Sequence, residues 1–193
     1  MALLIVGLGN IGPEYAHTRH NVGFDVLDAW AKASNARFTN LRYGAVTEIV
    51  LKGKRFMLLK PSTYVNLSGK AVNYWLRAER FAMEDLLVVV DDLALPFGAL
   101  RMRRQGSDGG HNGLKNINEI IGHGNYARLR VGIGNSFLQG QQVDYVLSEW
   151  NDEEQKMLPG VLDRAIDAIK AFGLTGVERA MNAFNSLPPE PRT

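Results

Sequence analysis

The side chains that could do chemistry fall in four short stretches. "LGNIGPEYAHTRHN" carries Asn10, Tyr15, Arg19, His20 and Asn21; "KPSTYVNLSG" carries Tyr64 and Asn66. "VVVDDLALP" carries Asp91 and Asp92, and "GSDGGHNGLK" carries His111 and Asn112. There is no cysteine, which excludes thiolate nucleophiles and disulfides. Ser68 and Ser107 lack a nucleophile-elbow pattern, and no His/Asp/Glu set has metal spacing such as H-E-x-x-H. What remains is a histidine with an aspartate able to orient it. Such a pair can deprotonate water and send it at a carbonyl with no covalent intermediate. Imidazole suits this because it titrates near neutrality. Asparagine amides can donate to the carbonyl oxygen as charge builds there, and can fix a peptide backbone with donor and acceptor together. The inventory fits hydrolysis of an activated ester. Each residue also has a plainer reading. His20 could be a surface or capping residue, and Asp91 could cap the turn before Leu95 and Pro96. Asn112 could be the N-cap of "GLKNINEII", with Asp108 or His111 bonding locally.

A second group is basic. "RMRR" runs from Arg101 to Arg104 and "RLR" from Arg128 to Arg130, while acids gather between Asp144 and Asp167. The formal net charge is only +2, so the polarity along the chain, which suggests one anion-facing side, matters more than the total. Arg101, Arg103 and Arg130 could bind phosphate, where the guanidinium fork is favoured; they could equally be solvated charges at a sheet edge.

These residues need strands and helices to bring them together, and the periodicity supplies both. Leu3 to Val6 reads as a buried strand. A helix capped by Asn21 follows, with Val22, Val26, Leu27, Trp30 and Ala31 on its apolar face. "AVTEIVLKGKRFMLLK" reads as two strands turning at Gly53, and "NLSGKAVNYWLRAE" as a helix starting after Asn66 or Ser68. "DLLVVVDD" has the continuous apolar pattern of a sheet's buried centre. "GLKNINEIIG" is a helix with Leu114, Ile117, Ile120 and Ile121 on one side, and "RLRVGIG" is another strand. A helical region from about Asn151 to Phe172 points Leu158, Leu162, Ala165, Ile166 and Ile169 inward. Pro159 is expected to kink or divide it, and Thr175 to open a last short helix. The alternation predicts a single α/β domain over residues 1–185, built on a twisted, mixed, partly parallel sheet flanked by helices. Residues 186–193, polar and proline-rich, read as a disordered tail.

The glycines of the first loop, Gly7-x-Gly9-x-x-Gly12, invite a dinucleotide-binding reading, but its companions are missing. Pro13 follows Gly12 at once, "PEYAHTRHN" has no helical apolar stripe, and no acid ends the second strand. The carboxyl end of a strand in an open α/β sheet is nevertheless where sites form, and this loop is polar. With 193 residues, 46% hydrophobic and 22% charged, the chain is ordinary globular material. It has no apolar run long enough for a membrane span and no basic region before its first apolar stretch. A cytoplasmic location is the default expectation.

Read together, "VGLGNIGPEYAHTRHNVGF", "KPSTYVNLSGKAV", "DDLALPFG", "GSDGGHNGLKNI" and "RLRVGIG" resemble the bacterial-type peptidyl-tRNA hydrolase family, in order from Leu3 to about Trp150. The resemblance implies one α/β domain that cleaves the ester between a peptide's C-terminus and the terminal ribose of tRNA. It implies no metal, no cofactor and no membrane partner; a monomer is expected. It puts the catalytic base at His20 and its orienting carboxylate at Asp91. Asn10 and Asn66 match residues that bind peptide and water near the ester, and Asn112 one that holds substrate and the attacking water. Tyr15 and Tyr64 would line the crevice, and His111 resembles a gate or tRNA contact. Arg103 and Arg130, with Arg101 helping, would clamp the tRNA 5′-phosphate. Three departures stand out: Val65 where Met is common, Ala94 where an acid is frequent, and Arg103 where Lys is often found. The rival from another class is a non-catalytic RNA-binding relative, against which His20, Asp91 and the three asparagines argue.

Overall fold

The structure is a computed structural model that describes residues 1–185; the tail expected at 186–193 lies outside the described residues. Seven strands form one mixed sheet: β1 (Ala2–Gly7), β2 (Thr39–Leu41), β3 (Gly44–Leu51), β4 (Lys54–Pro61), β5 (Leu86–Asp92), β6 (Leu100–Arg103) and β7 (Ala127–Gly132). Their order is β2-β3-β4-β1-β5-β7-β6. The four central strands are parallel, while β2, β3 and β6 run antiparallel to their neighbours. The helices are α1 (Val22–Ala33), α2 (Ser68–Ala78), α3 (Asn112–Ile121), α4 (Gln142–Val146), α5 (Asp152–Thr175) and α6 (Val177–Phe184). Among the described residues, no helix is long and apolar enough to cross a membrane.

Alternation along the strands divides the core in two. In β5, Leu86, Val88 and Val90 face Val72, Trp75, Leu114 and Ile117 from α2 and α3. Leu87 and Val89 face Val26, Leu27, Ala165 and Ile169 from α1 and α5. These five apolar side chains of β5 are fully buried, each stabilising by about 1.5–3 kcal/mol. A strand held this firmly fixes the position of Asp91 at its end. From β1 the chain first builds β2, β3 and β4 on one side, then crosses through α2 to β5 on the other, and a crevice opens at such a switch.

The glycines of the first loop serve close packing. A Cβ on Gly7 would sit 2.3 Å from the Gly23 carbonyl oxygen, and one on Gly9 2.9 Å from the Phe24 ring. The start of α1 therefore rests directly on the end of β1, and a short 3₁₀ turn, Arg19–Asn21, is pressed against the strand ends.

Several expectations at element ends need correction. Asn21 does not cap α1 with its side chain; instead its Oδ1 accepts from the Asn10 N–H and its Nδ2 donates to the Asn10 carbonyl. The α3 cap is His111, not Asn112. Helix α5 runs unbroken through Pro159, which is exposed and forgoes one backbone bond. Thr175 ends α5, its hydroxyl donating back to the Ala171 carbonyl, and Gly176 at φ 92 separates the two helices. Ile120 is half exposed and lies outside the apolar stripe of α3. "RMRR" contributes the edge strand β6, in which buried Met102 alternates with Arg101 and Arg103.

Candidate active site

A cleft of about 760 Å³ opens above the ends of β1 and β5. His20, from the 3₁₀ turn, approaches Asp91 with Nδ1 2.8 Å from Oδ2. The other carboxylate oxygen, Oδ1, lies 2.8 Å from Nε2 of His111. Asp91 is buried, and burial alone would raise its carboxyl; attraction to the two rings and donation from them hold it well below the usual carboxylate range instead. Burial likewise works to lower the His20 imidazole, and the charge of Asp91 together with its hydrogen bond outweighs that, leaving the pKa above its ordinary value.

The tautomers follow from the partners. Nδ1 of His111 accepts from the backbone N–H groups of Gly113 and Leu114, so the ring proton sits on Nε2 and is donated to Asp91. A carboxylate only accepts, so Nδ1 of neutral His20 is also an N–H donor. Its Nε2, across the ring, is left with a lone pair and no partner among the described residues. Asp92 performs the turn-capping that could have fallen to Asp91: its Oδ1 accepts from the Ala94 N–H at 2.8 Å.

His20, Asp91 and His111 each offer an atom within 4.8 Å of the others, close enough in distance to suggest a metal. The donor chemistry does not fit one. Both nitrogens facing Asp91 carry protons, and the His111 proton is fixed by the α3 backbone, so neither has the lone pair a metal needs.

The asparagines converge on the same cleft, which Asn10, Asn66 and Asn112 all line. Oδ1 of Asn10 accepts from the Val65 N–H at 2.8 Å, so its Nδ2 remains a donor at the rim. Tyr64 lines the cleft, but Tyr15 does not; it packs edge to face on Tyr64, with ring centroids 6.4 Å apart. Gln142, Val143, Val146 and Leu147 build the facing wall. Nothing in the residue pattern marks this wall beyond a short amphipathic stretch.

The arginines are only partly together. Arg130 reaches the cleft, donates to the Ser107 carbonyl at 2.9 Å and lies 3.8 Å from Asp92. Arg101 pairs with Arg130 across β6 and β7, and Arg103 with Arg128. All four therefore project from one face at the sheet edge, outside the cleft except for Arg130. Arg128 is fully buried against Tyr126 and three backbone carbonyls. Arg104 turns away to Glu178.

Arg19, next to His20, is a further organiser. It is buried, bonds Ser148 and the Glu149 carbonyl, pairs with Glu154 at 2.6 Å and stacks over Tyr145. Glu154 also closes the capping box of α5 with Asn151. One guanidinium thus ties the His20 turn to the segment carrying the cleft wall.

Residues 4–192 match the family model described as peptidyl-tRNA hydrolase. A curated peptidyl-tRNA hydrolase of Cytophaga hutchinsonii is 55% identical over 186 residues, covering 96% of this chain and 99% of the relative. One of Bacteroides fragilis is 56% identical over 185 residues, with the same coverage. A crystal structure of peptidyl-tRNA hydrolase from Acinetobacter baumannii superposes with a TM-score of 0.90 at 35% identity, over 97% of this chain and 96% of that one. With sequence, fold and near-complete coverage in agreement, the chain belongs to the peptidyl-tRNA hydrolase family.

Proposed function

We propose that the chain hydrolyses peptidyl-tRNA by water activation at His20. The observation that carries this reading is the Asp91 bridge, which fixes His20 with a proton on Nδ1 and a lone pair on Nε2. In the proposed step, Nε2 takes a proton from water, the hydroxide oxygen bonds to the ester carbonyl carbon, and a tetrahedral oxyanion forms. Asn10, with its oxygen occupied by Val65, donates through Nδ2 to that oxyanion. The ester bond then breaks, the proton on His20 passes to the ribose oxygen, and the peptide leaves as a carboxylic acid. Asn66 and Asn112 hold peptide and water, and Tyr64, backed by Tyr15, borders the peptide path. His111 holds Asp91 in place. Arg101, Arg103 and Arg130 take tRNA phosphates, contacts that position without reading sequence. No metal or cofactor enters the scheme.

A tRNA substrate supports a cytoplasmic setting. Single-turnover hydrolysis of purified peptidyl-tRNA by the wild-type protein and His20→Ala tests the scheme. Loss of the chemical step with retained tRNA binding is expected; a variant with close to normal rate would remove His20 as the base. Binding without turnover by the wild-type protein would favour a non-catalytic RNA binder.

A further inference from the structure

The turn between β2 and β3 holds Arg42 and Tyr43, and Tyr43 adopts a left-handed backbone, φ 63. Hairpin turns usually give such a position to Gly or Asn, because a bulky side chain is strained there. The aromatic residue is nevertheless built in. The Tyr43 ring packs edge-on against Tyr74 of α2 at 5.4 Å. The Arg42 guanidinium lies 5.1 Å from the Tyr43 ring centre and 5.3 Å from that of Tyr74, and the Lys70 ammonium 5.2 Å from Tyr43. The Trp75 indole N–H donates to the Arg42 carbonyl at 2.9 Å, pinning the turn to α2. Lys70, Tyr74 and Arg77 follow helical i, i+4, i+7 spacing, so Arg77 extends the same stripe. Arg42, Lys70 and Arg77 are exposed, and among the described residues none pairs with a carboxylate.

The location gives this cluster meaning. Gly44 pairs with Pro61, and the Ser62 N–H donates to the Tyr43 carbonyl, so the turn lies at the same end of the sheet as the cleft. The chain runs from Ser62 at the turn to Tyr64 in the cleft, and Tyr64 and Leu67 are exposed. Arg101, Arg103 and Arg130 stand on the opposite flank, and β3 and β7 are four strand spacings apart, about 19 Å. Both clusters belong to the α2–α3 face, since Met102 and Leu129 point to the other core.

We propose that Arg42, Tyr43, Lys70, Tyr74 and Arg77 form a second RNA-contact surface, across the cleft from the arginines, which binds the tRNA sugar–phosphate backbone and stacks a base. This rests on the reading that the substrate is peptidyl-tRNA. Cations interleaved with aromatic rings are the composition that binds nucleic acid strands without sequence preference. A peptide of arbitrary sequence carries no fixed charge for three unpaired cations to meet, whereas RNA carries one negative charge per nucleotide.

The test is equilibrium binding of deacylated tRNA between 50 and 200 mM salt, for wild type, the Arg42→Ser/Lys70→Ser/Arg77→Ser triple variant, Tyr43→Asn and Arg103→Ala. The triple variant should bind several-fold more weakly, with a log K against log salt slope shallower by about two or more, because each lost phosphate contact removes about 0.7–0.9. Tyr43→Asn suits the left-handed turn, so its melting temperature should hold while RNA affinity falls. Wild-type slope and affinity in the triple variant, with Arg103→Ala weakened, would overturn the second surface and leave the substrate reading standing. If Arg103→Ala is unaffected as well, neither cluster carries the RNA and the second surface is again overturned; only a wild-type protein that fails to bind tRNA would defeat the tRNA reading itself. A KM increase in the triple variant limited to substrates with acidic peptides, with tRNA binding unchanged, would reassign the surface to the peptide.

Discussion

Two histidines hold the same carboxylate at the same distance, 2.8 Å, yet their second nitrogens have different fates. His111 is the N-cap of α3, its Nδ1 taken by two backbone N–H groups. Both its nitrogens are engaged, and its side chain is only 7% exposed. His20 sits on a 3₁₀ turn that leaves Nε2 open to the cleft, with 17% of its side chain exposed. The first ring is a fixed N–H donor; the second can pick up a proton. A shared carboxylate therefore does not make two equivalent bases. The backbone around each ring decides which one can do chemistry, and in the proposed mechanism that ring is His20.

The strongest way to break this distinction is to remove each ring in turn. His20→Ala should lower kcat by about 10²–10⁴-fold, the usual contribution of a positioned base, with an unchanged circular dichroism spectrum. Next comes Asp91→Asn, expected to cost a large part of the roughly 10²–10⁴-fold that a positioned base supplies. The α3 backbone obliges His111 to donate, so the new amide oxygen must turn to His111 and the amide NH₂ to His20. His20 would then have to accept at Nδ1 and carry its proton on Nε2, the wrong tautomer for a base; a comparable carboxylate-to-amide change disables a serine-protease triad in the same way. An Asp91→Asn enzyme with near-normal kcat would show that the bridge does not set the tautomer. His111→Ala should cost well under the roughly 10²-fold minimum expected of a positioned base, together with roughly 0.5–2 kcal/mol of stability from the lost cap, read by urea titration. If its kcat fell as far as that of His20→Ala, the two rings would share the chemistry.

The contrast between the rings also marks how far sequence reasoning reaches. The buried strand "LLVVV" and the acids after it were legible because a short apolar run that ends abruptly in charge fits a central strand reaching the rim of its sheet. The residue inventory pointed to a histidine–aspartate pair, but His20 and Asp91 could be named as that pair only through the resemblance of their motifs to the peptidyl-tRNA hydrolase family. The division of labour at each strand end was not legible. Asp91 and Asp92 are adjacent and identical in type, and only strand alternation turns one inward and leaves the other to cap Ala94. Asn21 looked like a helix cap, but the close approach of α1 to β1 gave its amide to Asn10. Asn112 looks like the cap of α3 in the sequence, but Asp91 draws the His111 ring inward and leaves its Nδ1 to cap the helix instead. Strand β6 was hidden because three arginines in four residues obscure a two-residue alternation, and α4 because five residues carry too little periodicity. The wall it forms depends on Arg19, whose partners are about 130 residues away in the chain.

The finest test uses pH. The His20 pKa is raised above its ordinary 6.5 by Asp91, so kcat/KM should fall on the acid side with a midpoint above 6.5, where Nε2 becomes occupied by a proton. Removing the charge in Asp91→Asn should move that limb to lower pH, even as the plateau drops. Stability should follow the same titration. A group whose folded pKa exceeds its unfolded value contributes fully below the unfolded pKa and loses that contribution as pH rises through the folded one. The stability difference between wild type and His20→Ala should therefore be largest below pH 6.5 and shrink at higher pH. If the kinetic limb lay at or below 6.5, or if the stability difference grew with pH, Asp91 would not be stabilising an imidazolium at His20, and the asymmetry between the rings would have to rest on orientation alone.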